Sequence, residues 1–378
     1  LVMAYYPSWV ADTFPPEKID FGRFDWIDFA FAVPGEKFGL SWDGSDQAQS
    51  LLARLVSVAH AKGKKVKLSV GGWTGSKWFS PAVSSDTNRQ TFVNNILSAY
   101  NQFNLDGIDI DWEYPGQEGA PGNRVSPDDS DNFLAFLQLL RTTLPQGARI
   151  TAATQTQPFA SAQGSPMANV TEFVQALDWI LMMNYDVWQA SSNPGPNAPL
   201  SDACQNSTQP NSNADMAIRT WTAAGFPAEK LVLGVPSYGY VSKSTATQLR
   251  TRQQPANDTD STNNGTGTSA PQDAVHVKSE DEGQVQFRDL VVQGALCPSA
   301  SPGDYDACGG FVRAWDACSN TPWLRSESAG QVISYDDARS LQMKAEMVRT
   351  HGLLGVNMFD VHGDTDEWAL VDSLRKGL

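Results

Sequence analysis

The feature that most limits the fold of this chain is an alternation of short apolar runs with longer segments of helical spacing. Strand-length runs fall at residues 2–6, 26–32, 66–70, 107–111, 149–154, 179–184 and 231–235. Between them, 48–61, 88–103, 130–142 and 214–224 carry apolar residues at helical spacing. Parallel strands need a crossover connection, usually a helix, so this alternation predicts an α/β fold with a parallel sheet. From 241 to 334 the pattern breaks into polar, irregular sequence, and 253–272 reads as a mobile loop rich in Asn, Asp, Thr, Ser, Gly and Pro. Helical spacing returns over 336–350, and an eighth strand follows at 353–358. Eight strand–helix units of this size predict a (β/α)8 TIM barrel with an insertion between strand 7 and helix 7. Residues 1–240 and 335–378 would form the barrel, and 241–334 the inserted module. A doubly wound open sheet is the alternative that fits the same alternation.

Composition removes several partners. Lys and Arg total 27 against 42 Asp and Glu, a net charge of −15, which excludes a binder of phosphate backbones. No apolar stretch approaches the ~18 residues of a membrane span, so no membrane association is expected. The four cysteines and four histidines supply no C-x-x-C pair or His cluster, so no metal site is expected. Cys204, Cys297, Cys308 and Cys318 instead fit two disulfides and an oxidising compartment, the alternative being four unrelated buried thiols. Asn169, Asn206, Asn257 and Asn264 each begin an N-glycosylation pattern. With the strand-like opening Leu1-Val-Met-Ala-Tyr5-Tyr6, they suggest a processed, secreted, extracellular protein.

The chemistry concentrates in Asp106-Gly-Ile-Asp109-Ile-Asp111-Trp-Glu113. Strand side chains alternate, so Asp109, Asp111 and Glu113 share one face and Ile108, Ile110 and Trp112 the other, with Asp106 out of phase. Like charges a strand repeat apart raise at least one pKa, and burial raises it further. Such a carboxyl keeps its proton near neutral pH, as a general acid must. Two other uses of the row are a water-facing amphipathic strand and a divalent-cation site. A parallel barrel covers both faces of its strands, which disfavours the first. Cation loops mix Asp with Asn, Gly and carbonyl ligands, unlike this straight strand.

This row resembles the signature of the glycoside hydrolase family 18 chitinases. Lys67-Leu-Ser69-Val-Gly71-Gly72-Trp73 is similar to the family's third-strand motif and Met183-Asn-Tyr185-Asp186 to its sixth. Tyr335-Asp-Asp337 with Ser340 and Lys344 resembles the helix before strand eight, and Tyr5-Tyr6-Pro-Ser-Trp9 and Phe29-Ala-Phe31-Ala fit strands one and two. The resemblance implies that Glu113 protonates a glycosidic oxygen of a β-1,4-linked N-acetylglucosamine chain. The sugar's own acetamido oxygen then serves as nucleophile. Asp111 would hold the acetamido N–H, Asp109 would pair with Asp111, and Tyr185 would donate its hydroxyl to the acetamido group. Met183 and Asp186 would shape that subsite, and Gly71 and Gly72 would let a pyranose approach the backbone. Tyr5, Phe31, Trp73, Trp188 and Tyr238 would present aromatic faces to sugar rings, whereas Trp26, Trp179 and Trp221 read as core. Two positions depart from the family pattern: Phe359 stands where a Trp usually floors the cleaved sugar, and Tyr240 where many members have Arg. The implied protein is a retaining, endo-acting, monomeric enzyme on chitin or chitooligosaccharides, without cofactor. An endo-β-N-acetylglucosaminidase acting on N-glycans and a chitin-binding lectin are the alternatives.

Overall fold

A computed structural model describes residues 1–249 and 274–378. The expected loop at 253–272, with Asn257 and Asn264, lies outside the described residues.

Eight parallel strands form the centre: β1 (Val2–Pro7), β2 (Trp26–Pro34), β3 (Lys65–Gly71), β4 (Gly107–Asp111), β5 (Arg149–Thr154), β6 (Trp179–Met182), β7 (Leu231–Pro236) and β8 (Gly355–Phe359). Each pairs in parallel with the next, and β1 pairs with both β2 and β8, so the sheet closes into a barrel. That closure rules out the open doubly wound sheet. Both faces of the strands are covered, as the near-continuous apolar runs require. Val66, Leu68, Ile108, Ile110, Ile150 and Leu233 point outward into the main apolar cluster shared with the helices. Met3, Tyr5, Trp179, Leu181 and Val232 fill a separate inner cluster. Trp26 meets Trp179 edge to face within the barrel at 5.5 Å, and Trp221 is buried outside it.

Capping explains where the helices depart from simple spacing. The helix expected from 88 spans Asp86–Phe103, because Ser85 accepts a hydrogen bond from the Asn88 amide and caps it. The last long helix before β8 is Ala338–His351 rather than 336–350. Asp337 and Ser340 form a reciprocal cap at its start, and Gly352 ends it with φ 66°.

The described parts of 241–334 hold more regular structure than their polar sequence predicts. Strands Tyr238–Lys243, Gln284–Gln286, Val312–Asp316, Thr321–Ser326 and Gln331–Ser334 form a five-stranded antiparallel sheet. Its first strand begins at Tyr238, ahead of the expected boundary, and pairs Lys243 with Gln331, which returns the chain to the barrel. Cys297–Cys308 staples a small hairpin, and Cys204–Cys318 ties the loop after β6 to this sheet. Both expected disulfides are present, and Trp323 is buried in a small cluster with Leu249 and Val332. No helix among the described residues is long and apolar enough to cross a membrane.

Candidate active site

Alternation along β4 brings the acidic row to the inside of the barrel, where Asp109 and Asp111 are buried and Glu113 is half-buried at the mouth. Asp109 accepts hydrogen bonds from the hydroxyls of Tyr5 (2.9 Å), Ser69 (2.8 Å) and Thr151 (2.5 Å). Asp111 has no such set: its Oδ1 is buried and meets no donor among the described residues. Burial first, then the charges of Glu113, Asp109 and Asp28, holds its carboxyl well above the usual aspartate range. Glu113 is pushed up to about 7, chiefly by burial and further by Asp186, against a hydrogen bond from Tyr114. Its backbone is fixed by Ser76, which accepts from the Glu113 amide at 2.9 Å, and by Asn123, which donates to its carbonyl at 3.1 Å. Tyr5 and Tyr185 are raised far above 10 by burial and the neighbouring acids, so both keep their hydroxyl protons. Asp106 faces away, at the opposite end of the barrel, among His60, Lys65 and the Val66 amide.

Aromatic rings line the mouth. Phe359 lies 5.3 Å from Tyr5, 6.2 Å from Tyr185 and 6.3 Å from Tyr238, centroid to centroid. Phe31 continues from Tyr5 at 6.2 Å toward the exposed Trp9, also at 6.2 Å, and Trp73 is half exposed. Asp186 Oδ1 accepts from Tyr238 at 2.6 Å and from Tyr240 at 2.7 Å, so Tyr240 is a partner of the acid beside Tyr185. Met183 packs against the inner cluster that includes Phe359.

Two expected roles acquire a different physical reason. A Cβ on Gly71 would sit 2.1 Å from the Asp111 carbonyl, and its φ is +120°. This glycine therefore lets β3 approach β4, an approach closed by the Gly72 amide donating to the Asp111 carbonyl at 2.8 Å. At Gly72 the neighbour of such a Cβ would be Phe31, at 3.0 Å. Trp188 is not brought into the aromatic mouth. It is buried against Gly195 and lines a small cavity with Pro196, Asn213 and Cys318.

Sequence reasoning missed the polar layer beneath the acids. Asp28 and Lys67 are both fully buried inside the barrel and lie 3.2 Å apart. Asn357 donates to Asp28 at 2.7 Å, and Lys67 donates to Thr151 at 2.8 Å. The signal was present: Lys67 and Ser69 share one phase of β3, as Trp26 and Asp28 share one phase of β2. Volume alone would have misled, because a cleft of about 850 Å³ lies elsewhere, between the hairpin at Pro298–Tyr305 and the C-terminal helix Ala369–Gly377.

Catalytic groups of (β/α)8 barrels stand at the C-terminal ends of the strands, and glycoside hydrolases work with carboxyl groups; the acidic row of β4 fits both. The model of glycosyl hydrolases family 18 matches residues 1–364, and the chain belongs to that family. A chitinase-like effector of Moniliophthora roreri is 36% identical over 389 residues, covering 100% of this chain and 92% of that protein. Chitinase A1 of Niallia circulans is 31% identical, over 80% of this chain and 41% of its own length. The crystal structure of a chitinase from Rhizomucor miehei matches with a TM-score of 0.81 at 31% identity and 99% coverage of both chains.

Proposed function

We propose that this protein is a secreted chitinase that cleaves β-1,4 bonds between N-acetylglucosamine units with retention of configuration. The observation that carries the reading is Glu113, a carboxyl at the barrel mouth raised to about 7 and standing one strand repeat from the buried Asp111. Glu113 protonates the leaving oxygen and, once ionised, takes a proton from the attacking water. The free, buried Oδ1 of Asp111 accepts the acetamido N–H of the sugar and stabilises the positive charge of the oxazolinium ion. Tyr185 donates its hydroxyl to the acetamido oxygen as that oxygen closes on the anomeric carbon. Phe359, ringed by tyrosines, forms the apolar floor on which the sugar rests. Two disulfides suit an extracellular setting.

Hydrolysis of a chitooligosaccharide followed by NMR tests the mechanism: the β-anomer is expected first, and initial α-anomer would overturn it. A second reading, a chitin-binding protein without turnover, is favoured by one observation, the chitinase-like effector name borne by the relative from Moniliophthora roreri. Chitin binding without release of product from a fluorogenic chitobioside would select it.

A further inference from the structure

The acidic row lies above a buried cation that the mechanism does not use. Lys67, on β3, is fully enclosed inside the barrel. Its ammonium lies 3.2 Å from Asp28 on β2, 2.8 Å from the Thr151 hydroxyl on β5 and 4.0 Å from Asp109 on β4. It also sits over the Trp179 ring on β6 at 4.7 Å. From β1 the hydroxyl of Tyr5 reaches Asp109, from β7 Val232 adds only apolar surface, and from β8 Asn357 contacts Asp28. Asp111 and Glu113 complete the charged groups above it, with Tyr185 beside them.

Chemistry fixes the direction of the bond between Lys67 and Thr151. An ammonium has only donors, so Thr151 must accept from Lys67. The single Thr151 proton is then committed to Asp109, at 2.5 Å. Asp109 also receives the hydroxyls of Tyr5 and Ser69, so every contact it makes is one in which it accepts. Of these donors Thr151 is the one whose proton the ammonium fixes toward Asp109, and the cation itself stands 4.0 Å behind the carboxylate. We infer that Lys67, acting through Thr151, is a positioning residue that holds Asp109 as an acceptor of hydrogen bonds at the lower end of the row and leaves the row's proton to Asp111 and Glu113. Asp28, 3.2 Å from the ammonium, is the counterion of Lys67 in the barrel.

This inference rests on the reading of the row as the catalytic acids, and its test separates the two. Lys67→Met in an Asp28→Asn background removes the cation without leaving a buried carboxylate unpaired. Thr151→Val breaks the relay while keeping its volume and both charges. Without the cation, the lower acid takes up a proton more readily as pH falls. The acidic limb of the kcat profile on a short chitooligosaccharide should therefore move upward by about one pH unit relative to Asp28→Asn. Thr151→Val should move it in the same direction by less. The second readout needs no turnover: with ¹³C-carboxyl-labelled aspartate, the buried carboxyls should titrate at higher pH once Lys67 is replaced. Profiles and titrations that superimpose on their parents, with only a lower melting temperature, would reduce Lys67 to a core-filling role and overturn the inference. An unmutated protein that leaves chitooligosaccharides intact would overturn the chitinase reading, while the carboxyl titration still decides the part of Lys67.

Discussion

Asp106 and Glu113 belong to one sequence motif and stand at opposite ends of the same strand, yet their protons behave in opposite ways. Burial acts to raise both. Around Asp106 that effect is outweighed by Lys65 at 2.7 Å, the Val66 amide at 2.9 Å and His60 at 2.8 Å, and the carboxyl ends below its ordinary range. Among the described residues Glu113 meets no cation; burial and the like charge of Asp186 act on it, and the carboxyl rises to about 7. The partners a carboxylate finds, more than the depth at which it sits, decide whether it anchors a strand or donates a proton.

The comparison breaks most visibly if Glu113 is neutralised. Glu113→Gln should lower kcat by about 10³-fold or more, with KM within a few-fold, because the amide keeps the shape but cannot deliver a proton. On the proposed reading the unmutated protein should lose activity as pH rises through about 7, where Glu113 gives up its proton. Unchanged turnover in the variant would remove Glu113 from the mechanism. Tyr185→Phe should cost about 10²-fold in kcat, as loss of one hydrogen bond that strengthens in the transition state. An effect confined to KM would make Tyr185 a binding group only.

At the other end of the strand the expected effect is on stability. Asp106→Asn should leave kcat unchanged and destabilise the fold by about 1–2 kcal/mol, since the donors it satisfies are themselves partly exposed. The pH dependence has a definite sign. A carboxyl whose pKa is lowered in the folded state contributes stability above its unfolded value and loses it as pH falls through the folded one. The melting-temperature gap between variant and parent should therefore be full at neutral pH and close in acid. A gap that persists unchanged at low pH would mean that Asp106 acts through packing rather than charge.

The barrel was legible in the sequence because parallel strands covered on both faces leave an apolar run, and each crossover leaves a helical period. The acids of β4 were legible for a related reason, since alternation assigns them one face. The antiparallel sheet was not. Its first strand pairs with residues far along the chain, Lys243 with Gln331 and Tyr240 with Ser334, so no local period announces it. The boundary placed after Tyr240 missed it for the same reason: Tyr238 and Tyr240 carry on beyond β7 as apolar sequence but already belong to the next sheet. Trp188 shows a further limit. A tryptophan near Tyr185 suits a sugar, yet Gly195 lets the chain fold over its ring and close it off. Lys67 and Asp28 were readable from phase alone, but a charged residue in a strand suggests a solvent-facing position until its partner is known.

The smallest expected effect concerns the floor of the mouth. The Phe359 ring is held by three tyrosines, so packing sets where it lies. Replacing it with a larger ring tests whether the mouth has room that a sugar uses. Phe359→Trp enlarges the apolar face by a second ring, and the half-buried position leaves an open side for it. A better-matched face is worth about 1 kcal/mol, so KM for a chitooligosaccharide should fall by roughly three- to tenfold with kcat little changed. If KM instead rises while Glu113→Gln still abolishes turnover, the ring of Phe359 is a wedge that holds Tyr5 and Tyr185 apart. The sugar would then rest on Phe31 and Trp73, and the geometry of the acids would depend on the tyrosines keeping their present spacing.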